Sequence, residues 1–134
     1  MTRKLSARWV DRALVLCSYH IGLCKSEKEF NAELRRLKVP ERNWPDWVMD
    51  GKDATVHYLE KRDGHEQCCL VCVDGVGESP LCVVGLLIHE AVHIWQAHCD
   101  DVGESNPGSE MEAYSIQAIA QRLIEAYGAV KAKR

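Results

Sequence analysis

His89-Glu90-Ala91-Val92-His93 sets two imidazoles four residues apart, and that spacing decides how the chain is read. On an α-helix, positions i and i+4 lie one above the other on one face, so both rings can reach a single metal ion. Glu90 lies about 100° further round a helix of 3.6 residues per turn. From there its carboxylate can touch a metal-bound water without being a ligand itself. The argument needs a helix, and residues 81–98 supply one. Leu81, Val84, Leu87, Ile88, Ala91, Val92 and Trp95 form a long apolar run. Ser79 followed by Pro80 is a good N-cap and first-turn pair. This composition predicts a helix buried on nearly all sides. Polar groups in such a helix need partners. One metal ion satisfies both imidazoles at once, whereas the plainer account, two hydrogen-bonded core histidines, needs separate partners for each.

A catalytic zinc site normally has three protein ligands and one open position. The metzincin arrangement would need glycine at 96 and histidine at 99. The chain has Gln96 and Cys99, with His98 one place out of register. A glutamate from a following helix is the other common solution, and Ser109-Glu110-Met111-Glu112-Ala113-Tyr114 opens a helical stretch directly downstream. Gly103, Asn106, Pro107 and Gly108 mark a reversal that would return Glu110 to the side of His93. Asp100, Asp101 and Glu104 are read as solvated.

Over residues 81–123 or so the chain resembles the gluzincins, HExxH zinc peptidases whose third ligand is a glutamate on the next helix. The resemblance implies zinc (Zn2+) on His89, His93 and Glu110, with Glu90 as general base and a peptide or protein as substrate. Glu110 with Ala113 matches the family's register of a glutamate followed by a small residue. Glu112, two residues on and on another face, is the rival, and for either the plain alternative is a solvated first-turn glutamate. Tyr114 stands where many members carry an aspartate or asparagine that orients a ligand histidine. A phenol there can hydrogen-bond a ligand or a substrate oxyanion. The short linker, HEAVHIWQ and GSEMEAYSIQAIAQRL also resemble small phage or prophage-encoded metallopeptidase-like proteins.

Length and composition suit one domain spanning 1–134 with one core: 134 residues, 46% of them hydrophobic. A net charge of -3 gives no electrostatic footprint for a nucleic acid, and the basic cluster at 131–134 reads as a solvated tail. No apolar stretch reads as a signal or a membrane span, so no membrane is expected. Seven cysteines, an odd number, point to a reducing, cytoplasmic setting. Cys69 and Cys72 form a CxxC, but 67–74 reads as a buried strand that turns them to opposite faces, as core thiols instead of a second metal site.

The remaining elements follow from local signals. Leu5, Trp9, Ala13 and Leu16 predict a first helix over 5–19, ending near Gly22. Ser26 to Glu29 is a capping box before Phe30, Leu34 and Leu37, with Pro40 closing that helix. Trp44-Pro45-Asp46-Trp47 reads as a loop packed over the core, or as a pocket wall. Residues 54–61 and 67–74 read as an antiparallel hairpin around Asp63-Gly64. Its edge could hold an extended peptide by β-augmentation. His57 and Tyr58 alternate across the strand, so at most one can reach the cleft.

The expected architecture is therefore α+β, a minimal zincin-like domain. It has N-terminal helices, a β-hairpin or small antiparallel sheet, the HExxH helix and a C-terminal ligand helix. Two other functions fit the same residues. One is a non-catalytic zinc-binding interaction module whose site is closed by His98, Asp101 or Glu112. The other is a zinc-free helical core. Oligomeric state is not readable.

Overall fold

A computed structural model describes residues 7–10, 18–48, 53–61 and 66–129. Four strands and three helices follow in the order β1 (Arg8–Val10), β2 (His20–Cys24), α1 (Glu27–Arg36), β3 (Ala54–Leu59), β4 (Cys68–Val73), α2 (Pro80–Val102) and α3 (Ser109–Tyr127), with a short 3-10 turn at Glu41–Asn43. The architecture is α+β. The sheet runs β1-β2-β4-β3 and is mixed: β1 with β2 and β3 with β4 are antiparallel, while β2 and β4 are parallel.

β4 explains the layering. Its sequence CCLVCV has no polar side chain, and all six residues are buried. Cys69, Val71 and Val73 face one apolar cluster, shared with Leu87, Ala91 and Ile94 of α2 and Ile119 and Leu123 of α3. Cys68, Leu70 and Cys72 face a second, formed with Phe30 and Leu34 of α1. A strand buried on both faces reads as a continuous apolar run. The single core expected from composition is in fact two, one on each face of the sheet. As expected, Cys69 and Cys72 part to opposite faces, and the six described cysteines are free thiols.

The helix expected over 5–19 is corrected. Arg8–Val10 is a strand, and Gly22, expected near the helix end, lies inside β2; residues 11–17 fall outside the described residues. Trp9 and its neighbours sit in extended backbone because β2 offers a ladder, and tertiary pairing overrides a weak local preference. Trp9 donates its indole N–H to Glu33 at 3.1 Å, and Glu33, 2% exposed on α1, also receives Arg36. The antiparallel sheet expected from the hairpin is corrected to a mixed one by the parallel β2–β4 pair.

Caps place the helices as their sequences imply. Ser26 Oγ accepts from Glu29 N–H, and Ser79 Oγ accepts from Cys82 N–H with Pro80 in the first turn. α2 ends at Gly103, whose φ of 76° suits glycine, and Glu104 N–H closes the turn onto Cys99 O at 2.8 Å. Its 23 residues have the length and hydropathy of a membrane span, contrary to the expectation that no stretch would. Here the helix packs on β3, β4 and α3. Burial is not all round: Leu81 is 81% exposed and Ile88 44%. The hairpin is present as expected, though residues 62–65 of its turn lie outside the described residues. Trp44 and Trp47 pack on the α1 side of the sheet, as a lid over that core.

Candidate metal centre

Along α2, Val83, Leu87, Ala91 and Ile94 turn into the core, while His89, His93, Gln96 and Asp100 recur every three or four residues on another stripe. That stripe borders β3, which is an edge strand of the sheet. Between helix and strand lies a cavity of about 400 Å³, lined by His89, Glu90, His93 and Gln96 on one side and Val56 and Tyr58 on the other.

The two imidazoles converge. His89 Nε2 and His93 Nε2 are 3.0 Å apart, with ring centroids 4.7 Å apart and planes at 74°. His93 Nδ1 lies 3.2 Å from Gln96 Oε1. In the tautomer with its proton on Nδ1, the ring would donate to the Gln96 amide oxygen and present Nε2 as a bare lone pair. A second Nε2 at 3.0 Å must then share either a proton or a cation with it. Zinc–nitrogen bonds of about 2.0–2.1 Å in a tetrahedral site put two nitrogens about 3.3 Å apart, so the pair, at hydrogen-bond distance here, would have to open slightly to hold such an ion.

Glu90 is 6% exposed and lines the same cavity. Tyr58 reaches it from β3, its ring edge-on to Tyr19 at 5.3 Å. Burial, with Cys69, Tyr19 and Glu90 acting in the same direction, raises the phenol's pKa well above its usual value, so Tyr58 remains an O–H donor. His57 points to the other face, as strand alternation requires. It stacks on Phe30 at 4.9 Å and approaches Trp47 O at 3.1 Å.

The residues expected from α3 are not gathered here. Glu110 is exposed on the first turn of α3, and Tyr114 is 65% exposed and does not line the cavity. Glu112, about 200° round the helix from Glu110, accepts the Trp95 indole N–H at 3.0 Å and so is the carboxylate that faces α2. The possible closing ligands are also engaged elsewhere. His98, 5% exposed, accepts from Ser18 N–H at 3.2 Å, and Asp101 accepts from Gln67 at 3.3 Å. Asp100 shares the cavity, but seven residues beyond His93 it is about 10 Å further along the axis. Among the described residues, no three histidine, cysteine, aspartate or glutamate side chains form a ready metal-binding group.

Sequence reasoning did not find Gln96 as the partner of His93, although the i, i+3 spacing on a helix carries that signal. It narrowed His57 and Tyr58 to one without choosing, because which strand face meets α2 depends on the register with β4. No protein-family model, curated protein or solved structure matches the chain.

Proposed function

We propose that the chain is a zinc-dependent peptidase of gluzincin type on a zincin-like fold, cleaving a peptide or protein substrate. The observation that carries this reading is the convergence of His89 and His93 Nε2 at 3.0 Å beside buried Glu90, in a cavity bordered by β3, an edge strand among the described residues. His89 and His93 would hold the zinc, with a carboxylate from the first turn of α3. Glu110 is the residue given by the family resemblance, and Glu112 is the rival that faces α2.

When bound, zinc supplies a Lewis acid that makes water nucleophilic near neutral pH. Glu90 takes the proton of the attacking water and delivers it to the leaving amine. The protonated Tyr58 phenol donates to the substrate oxygen that gains charge. Gln96 holds the His93 ring in the tautomer that leaves Nε2 free. β3, an edge strand among the described residues, would offer backbone groups to an extended peptide. The free thiols suit a reducing, cytoplasmic setting.

A zinc-binding interaction module without catalysis is the second reading; it needs a closed site, and His98, Asp101 and Glu112, which would close it, are engaged by Ser18, Gln67 and Trp95. The discriminating experiment measures zinc per chain in protein purified without chelator or tag-derived metal, then peptide cleavage by wild type and Glu90→Gln. About one zinc with cleavage lost in Glu90→Gln supports the peptidase. One zinc with no cleavage in wild type leaves the binding module. No zinc after reconstitution removes both.

A further inference from the structure

We propose that the cavity between β1 and the C-terminal half of α3 is a second binding site, for a small molecule bearing an oxyanion, phosphate or carboxylate. It lies at the opposite edge of the sheet from the histidine pair, since β1 and β3 are the two ends of the order β1-β2-β4-β3.

Three cationic side chains line it, Arg8 from β1, Lys25 from the end of β2 and Arg122 from α3, against one acid, Glu125. Arg8 Nη1 is buried and has no hydrogen-bond partner among the described residues. Leaving a donor atom out of water without a partner costs free energy, which the half-buried Arg8 guanidinium would recover by turning toward an anion in the cavity it lines. Neither Arg8 nor Arg122 forms an ion pair with a carboxylate among the described residues. Arg122 Nη1 is fixed by Ala118 O at 3.2 Å, which sets the direction of its guanidinium.

Lys25 prepares the wall. Its Nζ donates to Tyr127 O at 2.8 Å and lies 4.4 Å from the centre of the Tyr127 ring. A cation at the last turn of α3 offsets the negative end of the helix dipole, which would otherwise repel an anion. The guanidinium fork of Arg8 matches the paired oxygens of a phosphate or carboxylate. The cavity holds about 530 Å³, more than a bare ion needs, and Val10 and Ala126 in its wall leave room for an organic body beside the anion.

The test is calorimetric titration of inorganic phosphate and, separately, of citrate into the full chain. Ionic strength is fixed with sodium chloride, and wild type is compared with Arg8→Gln and Glu125→Gln. Saturable binding of phosphate or citrate is expected, weakened tenfold or more in Arg8→Gln and tightened in Glu125→Gln by loss of a like charge. Phosphate alone binding identifies a phosphate-bearing ligand, and citrate alone a carboxylate. If Arg8→Gln fails to fold by circular dichroism, Arg122→Gln takes its place with the same expectation. Three results overturn the proposal: no saturable binding of either anion, binding unchanged by the arginine variant, or a Glu125→Gln protein that binds no tighter and is less stable. The last would make Glu125 an internal partner of the arginines.

Discussion

Trp95 donates its indole N–H to Glu112 across 3.0 Å, tying the helix that carries the histidine pair to the first turn of the helix that follows. Glu112→Ala leaves a largely buried indole N–H without its acceptor and is expected to cost about 1–3 kcal/mol. Glu110→Ala changes an exposed side chain and is expected to stay within about 0.5 kcal/mol. Urea unfolding of the two variants checks the difference. Zinc content, measured where both are folded, then separates a ligand from a structural acceptor.

Gln96 should matter to metal binding without mattering to folding. Its side chain is exposed, yet its Oε1 meets His93 Nδ1 at 3.2 Å. Gln96→Leu is expected to weaken zinc binding about 10–100-fold, the usual effect of removing a group that orients a ligand histidine. Competition against a chromogenic chelator measures it, and an unchanged melting temperature of the metal-free protein shows that the fold is intact.

Stability should fall as the solution is acidified below neutrality, and His57 is one cause. Burial lowers its pKa from the ordinary value of 6.5, with Trp47 and Asp46 acting in the opposite sense. The unfolded chain therefore binds this proton before the folded one does. Stability attributable to neutral His57 is present above pH 6.5 and is lost as pH falls from there to the lower folded pKa. Urea midpoints at pH 7.5, 6.5 and 5.5 should decline more steeply in wild type than in His57→Phe, where the ring on Phe30 remains but cannot titrate.

Adjacent residues of α2 should respond in opposite ways. Leu87 is 0% exposed in the core against the sheet, and Leu87→Ala is expected to cost about 2–5 kcal/mol. Ile88 is 44% exposed, and Ile88→Ala is expected to cost less than about 1 kcal/mol. Chemical unfolding of both variants tests whether α2 keeps one side in water.

What was legible in the sequence was local. Ser26 and Ser79 with Pro80 each mark a helix start by a bond made within a few residues, and the structure has both, while the end of α2 at Gly103 lies beyond the 81–98 read from the sequence. Two strand-like stretches, 54–61 and 67–74, around Asp63-Gly64 made the hairpin readable, since its two strands are near neighbours in sequence. β1 and β2 were not readable, because their pairing is fixed by β4 some fifty residues away and Trp9 fits helix or strand spacing equally well. In the candidate site, HExxH named three groups that the structure brings to one cavity. The third ligand was less accessible, since which face of α3 meets α2 is decided by packing of Ser115, Ile119 and Leu123 and not by the glutamates.

Gly22 lies opposite Leu70 in the parallel pair of β2 and β4, and a side chain there would bring its Cβ to 2.9 Å from Leu70 Cδ2 and 3.2 Å from the Trp9 ring. Sliding a strand by one residue exchanges its two faces. For β4 that exchange would trade Cys, Leu and Cys for Cys, Val and Val without exposing a charge, so polarity does not forbid it. Shape does. The bare backbone at Gly22 is a notch that admits the one leucine of β4, and any other alignment drives that leucine against a neighbour with a side chain while leaving the notch empty. The alignment of the central strands is thus keyed by an absent side chain, and filling it with alanine would blur the choice between alignments as well as crowd the packing.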